Sequence, residues 1–590
     1  MQKHFIDTII VGTGCAGYNA ADCLHALGRR DIAIVTEGRR MGTSRNTGSD
    51  KQTYYKLSLA GDEHDSVRDL AQTLFAGGGM HGDTALIEAA GSARAFMKLV
   101  ELGVPFPTNQ HGEYVGYQTD HDKRRRATSA GPLTSKYMTE ALEQAVKRRG
   151  IRIMDGLRVI QLLVKDNAIR GLVGVDAQGG YTAMFCNHMV LATGGPAGLY
   201  AQSVFPPSQT GALGLAVNAG LDLANLQEWQ YGIASVRFRW NLSGSYQQVL
   251  PKYISVDAQG RAREFLTEHF GDPMAAVNRV FLKGYEWPFD SAKAAGSSEV
   301  DLLLHREIHE RGRRVFLDYR ENPTGLDFTR LSPAAREHLE NCSCLFGTPI
   351  ERLAKMNPKA IELYRSNGID LHSELLEAAV CAQHHNGGIA VDHNWQTSCA
   401  GLYAAGECAG TFGVYRPGGS ALNATQVGSR RAAEHIAQTP EARPEEVSFD
   451  LPEITFAAHE SASETLAFIR EEMSRTAGYL RDAEQMQTLL AKLTPLRARF
   501  FEQVTITKKE QAQLLFITYD TLCAATAVLR AMIFSAEQIG TRGSAMIGGR
   551  GQGLGVRGNE VTITCGTDTT LAPVRPMPED DSWFEAVWNR

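Results

Sequence analysis

The chain has 590 residues, 43% hydrophobic and 21% charged, and its 60 Lys and Arg against 66 Asp and Glu leave a formal net charge of −6. A chain of this size buries a large core divided among several domains, and balanced charge without a long single-sign tail argues against nucleic acid or an anionic membrane as partner. No stretch reaches the ~18 to 20 uninterrupted apolar residues of a membrane span. The N-terminus enters a strand with no signal peptide, and the ten cysteines are scattered with no CxxC. These features predict a cytoplasmic chain with reduced thiols and no metal site of its own.

The first predicted elements are an apolar strand from Ile6 to Val11, a turn with Gly12, Gly14 and Gly17, a helix from about Cys15 to Leu27, and a second strand ending on Glu37. In this GxGxxG pattern the first glycine allows the tight turn and the second lets the backbone approach a pyrophosphate. The third lets helix and strand pack, and Ala16, in the same turn, is read with the glycines as cofactor-binding. The helix N-terminus offers amides and positive dipole to phosphates, and Glu37 stands where a carboxylate accepts from an adenosine ribose. An unphosphorylated ribose, in FAD or NAD, fits that acid.

A loop rich in Gly, Ser, Thr and Arg follows, then helices over about 66–103 and 135–148, with the basic run Lys123 to Arg126 between them read as a solvated loop. Residues 151–190 alternate short β-rich runs with turn signals and predict a small antiparallel meander. An apolar strand then runs into Ala192, Thr193, Gly194 and Gly195, and this second return to the nucleotide favours FAD over NAD. Residues 236–375 change character and read as an inserted cap. The strand GLYAAGE leads to a helix opening at Gly419 and Ser420, and from Leu451 to about Ile539 the chain reads as helical. A glycine-rich bend (GGRGQGLG), a β-like VTITC and an aromatic WFEAVW close the sequence. The expected fold class is α/β: a Rossmann-like FAD-binding domain (1–235 and 376–440), an inserted α+β capping domain (236–375), a C-terminal helical domain (441–545) and a tail (546–590).

The motifs GTGCAG, LATGG, TGALGLAVNAG at 210–220, NGGIAVD at 386–392, and GLYAAGECAG followed by RPGGSAL resemble those of the fumarate reductase and succinate dehydrogenase flavoproteins, a family that includes aspartate oxidase and the adenylylsulfate reductase catalytic subunit. The resemblance implies that Gly12, Gly14, Gly17 and Glu37 hold the ADP half of FAD, with Ala192, Thr193 and Gly194 bordering it. It also implies that Glu407 holds the ribityl chain and that Ser420 and Leu422 present amides to the flavin. Where covalent members carry a histidine in an SHT triplet, this loop reads TSRNT with Arg45 and Asn46, so noncovalent FAD is expected. The family commonly works with an iron–sulfur partner.

On the substrate side the resemblance predicts losses. The two family histidines fall near Gly232 and at Gln383, the proton-donating arginine near Val300, and the acid of the TGD string at Ala212; of the substrate arginines only Arg416 is retained. A C4 dicarboxylate needs a charged partner at each end, and losing one costs ~2 to 5 kcal/mol, which argues against fumarate or succinate. The chemistry left is in Gln383, His384, His385 and Asn386, where a histidine beside the flavin takes or gives a proton, and in Arg416 as an anion binder. Either histidine alone is as well explained by core packing. Glu228, Trp229 and Tyr231 sit where the family's strand enters the pocket, the two aromatics read equally as core or lining, and Tyr415 beside Arg416 is read as a second donor or as aromatic packing. Asp301, His305 and Arg306 share one helix face and are read as a solvated, ion-paired surface. Three functions fit: hydride transfer between FAD and a polar small molecule, reduction of an activated C=C bond in an unsaturated acid, or an electron-transfer protein serving an iron–sulfur, ferredoxin-like partner.

Overall fold

The structure, a computed structural model, describes residues 1–548, 561–565, 568–579 and 583–588; residues 549–555 of the glycine-rich bend lie outside the described residues. At its centre is a five-stranded parallel sheet in the order Leu402–Ala404, His188–Leu191, Thr8–Val11, Ile32–Thr36, Arg152–Asp155. Ile9, Ile10, Ile34, Val35 and Val190 are fully buried, as continuous apolar strands covered on both faces require. The helix Cys15–Ala26 packs on the late helix Ser420–Ile436, where Asn19 Nδ2 donates to the Gln426 carbonyl (2.9 Å) and to Ser429 Oγ (2.8 Å). Nearby, Arg29 pairs with Asp7 at 2.6 Å, both buried, and its other amine reaches the Ile436 carbonyl. Segments some four hundred residues apart in sequence thus close one nucleotide-binding domain.

The stretch 151–190 is not wholly a meander. Arg158–Lys165, Ala168–Val175 and Tyr181–Phe185 pair antiparallel, and Gln2–Phe5 joins their edge, but Arg152–Asp155 and His188–Leu191 at its two ends belong to the parallel sheet. The basic run is also not a loop. It lies in the strand Asp122–Ser129, and Arg126 is fully buried, 2.6 Å from Asp65. This strand forms a hairpin with Tyr117–Thr119, turning at Asp120 and at His121, whose φ is +60°.

An antiparallel sheet in the order Trp240–Asn241, Trp229–Ser235, Leu376–His385, Arg314–Asp318, Lys252–Val256, Ala262–Arg263 joins the cap to its flanks, since Trp229–Ser235 and Leu376–His385 lie outside the expected 236–375 bounds. Its two longest strands, Trp229–Ser235 and Leu376–His385, run from the cap to the FAD side, so they carry side chains toward the junction. C-terminal to this, residues 441–461 hold no helix: they run over the surface, with Phe456 bridging Ile506, and the helices are Ala462–Thr476, Ala483–Ala498 and Ala512–Gln538. The last is long and apolar enough to span a bilayer but is buried on most of its circumference against the other two, as a core helix is. The β-like VTITC does form a strand, Val561–Cys565, paired with Thr569–Pro573.

Candidate active site

The carboxyl ends of the parallel strands open into a cleft of about 420 Å³, the position where an open α/β sheet binds its ligand. Gly12, Gly14, Ala16, Glu37, Ala192, Thr193 and Gly194 all line it. Gly12 has φ +114°, and a Cβ there would sit 2.3 Å from the Ala192 carbonyl oxygen. Only glycine lets the two strand ends touch. Gly17 faces the same junction from the helix, its would-be Cβ 2.0 Å from the Gly12 oxygen, and so serves packing rather than lining. At the far end Glu37 accepts from Arg158 Nη1 at 2.8 Å, and Arg158 also donates to Thr210 Oγ1 and the Gly211 carbonyl. Arg158 thus orients Glu37 through one carboxylate oxygen and leaves the other free to accept.

Further along, Glu407 is half-buried, accepts the His385 amide at 2.9 Å, and is pushed up to about 7 by desolvation. The helix Ser420–Ile436 begins after Gly419 at φ +88°. The Ser420 and Leu422 amides close turns to the Pro417 and Gly419 carbonyls (3.1 Å each), while Leu422 and Ala421 line the cleft. Ser420 Oγ is buried with no hydrogen-bond partner among the described residues. Ser420 itself does not line the cleft; the cradle at Gly12, the glycine turn at Gly419 before a helix start, and the acids Glu37 and Glu407 at the two ends fit a dinucleotide such as FAD.

The other half of the cleft is built by the cap-sheet strands. A bulge at Gln383 interrupts the alternation, and beyond it His384 pairs with Gln230 and His385 with Trp229, which puts the two histidines on opposite faces. His384 lines the cleft. His385 does not: it is fully buried, its Nε2 lies 3.1 Å from the Leu226 carbonyl, and its ring stacks on Trp229 at 4.3 Å. The expectation of His385 as a catalytic candidate is corrected accordingly; it is a core histidine. Trp229 and Tyr231, on that same inner face, join Tyr200 and Tyr479 in an aromatic stack, and Glu228 pairs with Arg542 at 2.5 Å away from the cleft.

The tautomer of His384 follows from its neighbour. Asn386 Nδ2 donates to the Val414 carbonyl (3.2 Å), so its Oδ1 is the acceptor and takes the His384 Nδ1–H at 2.9 Å. Nε2 therefore carries the lone pair. Burial, with the Arg416 charge adding to it, holds His384 well below the usual histidine range. It is a neutral acceptor at physiological pH. Arg416 lies beside it: Nη2 donates to Gln230 Oε1 at 2.6 Å, Nε approaches the same Asn386 oxygen at 3.4 Å, and Phe412 flanks both residues. Burial pulls Arg416 down to about 10 against the opposing pull of Asp120, Glu407 and Glu88. Glu88 is itself pushed up to about 8 by burial. Among the described residues no carboxylate lies within ion-pair distance of Arg416. A buried, unpaired guanidinium is costly unless a ligand anion pairs with it. Asp120 reaches the cleft from the hairpin turn, its Oδ1 accepting the Gly418 amide at 3.0 Å.

Among the described residues three cations line the cleft: Arg158, committed to Glu37; Lys51, exposed; and Arg416. Ala212 and Gln383 line it too, whereas Val300 is buried in the cap core. Asp301 and His305 contradict the solvated-face reading. Asp301 is fully buried 2.7 Å from an equally buried Lys283, and His305 Nδ1 meets Tyr479 Oη at 2.9 Å. Helix Glu299–His305 is sandwiched between sheet and helical domain, so its polar residues pair internally. Tyr415 turns away, donating to Asp290 at 3.2 Å.

A sequence-family profile described as FAD binding domain matches residues 7–422, more than half of the chain. The L-aspartate oxidase of Agrobacterium fabrum is 28% identical over 498 residues, covering 83% of this chain and 84% of its own. One subunit of the fumarate reductase (CoM/CoB) of Methanothermobacter marburgensis is 26% identical over 445 residues, covering 73% and 72%. Among solved structures, E. coli quinol fumarate reductase FrdA superposes with a TM-score of 0.69 at 21% identity over 98% of both chains. The chain belongs to the fumarate reductase/succinate dehydrogenase flavoprotein family. It is an FAD-dependent oxidoreductase of that family.

In this flavoprotein Asp120, Arg158, Gln230 and Trp287 were not singled out by the sequence. Asp120 and Arg158 stand at a hairpin turn and a strand start, with no motif around them. The buried histidines give the flavoprotein an acid limit. Burial depresses His385 and His305 to about 4, below their unfolded value. Between about pH 6.5 and 4 the unfolded chain binds more protons than the native one. Their stabilisation is present above pH 6.5 and lost as pH falls through 4. Thermal unfolding midpoints measured across this window should drop with acidification, and His385→Phe, which keeps the stack on Trp229, should flatten the slope.

Proposed function

We propose that this flavoprotein oxidises a small 2-amino acid, using noncovalently bound FAD, and that it does not act on fumarate or succinate. The observation that carries the reading is His384, fixed as a neutral acceptor beside the unpaired, buried Arg416. Bound FAD supplies a two-electron hydride acceptor. Arg416 pairs with the substrate carboxylate, Asp120 faces its ammonium group, and His384 Nε2 takes the proton that nitrogen must lose as the C–N bond becomes an imine. A cation and an anion in one cleft suit a zwitterion. The relatives named L-aspartate oxidase support an amino acid as substrate. C=C reduction is less well supported, since it needs a proton donor and His384 is unprotonated at neutral pH. Noncovalent attachment is supported by the loop TSRNT, which holds no histidine and whose Arg45 turns to Glu143 (2.6 Å). The Methanothermobacter relative, named as one subunit of a larger enzyme, supports a second reading for the electrons' exit, an iron–sulfur partner that reoxidises the flavin.

Anaerobic flavin bleaching by amino acids, with imine hydrolysis to an oxo acid, tests the reading. Arg416→Gln should raise KM at least ~30-fold, from about 2 kcal/mol for one lost charge-paired hydrogen bond. Asp120→Asn should weaken amino acids without weakening their 2-hydroxy analogues. Equal losses for both substrate classes would contradict the role of Asp120.

A further inference from the structure

Strand Trp229–Ser235 turns Gln230 and Gly232 to one face, and Gln230 holds Arg416. At Gly232, where the family resemblance places a substrate histidine, there is no side chain, and the space is taken by Trp287. A Cβ on Gly232 would lie 2.4 Å from the Trp287 ring. The indole is 7% exposed, lines the cleft, and donates Nε1–H to the Ile233 carbonyl at 2.8 Å. Pro288 bridges Gly232 and the Phe289 amide bonds the Tyr231 carbonyl at 2.8 Å, so the segment is zipped along the strand. The indole is thus a fixed wall one side chain away from the Gln230–Arg416 pair. The rest of the cap's contribution to the cleft, including Asn241, Gln248, Tyr285 and Pro288, carries no charge.

We infer that Trp287, seated by Gly232, is the specificity wall for the substrate's distal group, and that this group is neutral and predominantly apolar. The inference rests on the proposed function and names its substrate class: 2-amino acids with aliphatic or aromatic side chains rather than acidic ones. A carboxylate pressed on the indole and neutral amides loses hydration without gaining an ion pair, whereas an apolar side chain gains contact with the ring face. Lys51, the exposed cation of the same cleft, follows Asp50, which accepts the Ser245 amide of the cap at 2.8 Å, and its charge reaches His338 behind Tyr285; the indole wall itself offers no cation.

The test is stopped-flow anaerobic reduction of the FAD-loaded enzyme by L-leucine, L-phenylalanine, L-aspartate and L-glutamate, on wild type, Trp287→Ala, Trp287→Phe and Gly232→Ala. The neutral pair should exceed the acidic pair by at least tenfold in kcat/KM, within the range a hydrophobic pocket discriminates. Trp287→Ala should erase that preference mainly through KM and Trp287→Phe should retain it. Gly232→Ala, which displaces the indole, should behave like Trp287→Ala, so the inference stays testable if one variant fails to fold. Faster reduction by the acidic pair, or an unchanged preference in a folded Trp287→Ala, overturns the inference while leaving amino-acid oxidation standing. No reduction by any of the four overturns both.

Discussion

Replacing His384 by Gln is expected to lower the rate of flavin reduction by roughly 10²- to 10⁴-fold, the range a positioned general base contributes, with little change in FAD content. Local hydrogen bonds alone set this up. The Val414 carbonyl fixes Asn386, Asn386 fixes the imidazole Nδ1–H, and the lone pair is left on Nε2 in the cleft. Glutamine keeps a polar side chain of similar reach but has no basic nitrogen. Because burial and Arg416 hold the imidazole well below its ordinary range, the base is already unprotonated at neutral pH. The wild-type rate of reduction should therefore be flat in this group from about pH 6 to 8 and fall only in acid. A single-turnover pH profile checks both points. A rate for His384→Gln within threefold of wild type would remove His384 from the chemistry.

Gly12→Ala carries the second large effect, on cofactor loading. The new methyl would sit 2.3 Å from the Ala192 oxygen on a backbone at φ +114°. Overpacking against main chain costs about 1 to 3 kcal/mol and the left-handed strain a similar amount, and both strand ends that border the nucleotide must move apart to absorb it. Purified Gly12→Ala should be colourless or lose FAD on gel filtration. Gly28→Ala separates strain from crowding: its φ is +101°, but nothing lies within 4 Å of the added methyl. That variant should unfold a little earlier and keep its FAD. Equal FAD occupancy in Gly12→Ala and wild type would contradict the placement of the cofactor.

Much of this was legible in the sequence because it is local. The strand, turn, helix and acid of the first thirty-seven residues depend on spacing alone, and the structure sets them at one cleft. What escaped depends on pairing between distant segments. His384 and His385 look equivalent in QHHNGGI, and only the register of Leu376–His385 against Trp229–Ser235 decides which one faces the cleft. Lys123 to Arg126 reads as solvated because its counter-charge, Asp65, is sixty residues away in sequence. Asp301 misled in the same way, its partner Lys283 being on another helix. Residues 451–461 fill a helical-looking window but are held extended, with Thr455 and Ala457 exchanging hydrogen bonds with Ile506. Trp287 could not be foreseen, since its role is defined by the empty position at Gly232.

An amino acid held by Arg416 would give up its nitrogen proton to His384, with bound FAD supplying the hydride acceptor. The most direct measurement is an anaerobic absorbance titration of the purified flavoprotein with an L-amino acid, with oxo acid and ammonia quantified after quenching. The predicted result is full bleaching of a flavin that acid precipitation releases, with one oxo acid and one ammonia formed per flavin. A flavin that no amino acid bleaches, but that an unsaturated acid reoxidises after dithionite reduction, would contradict the claim and assign the cleft to C=C reduction.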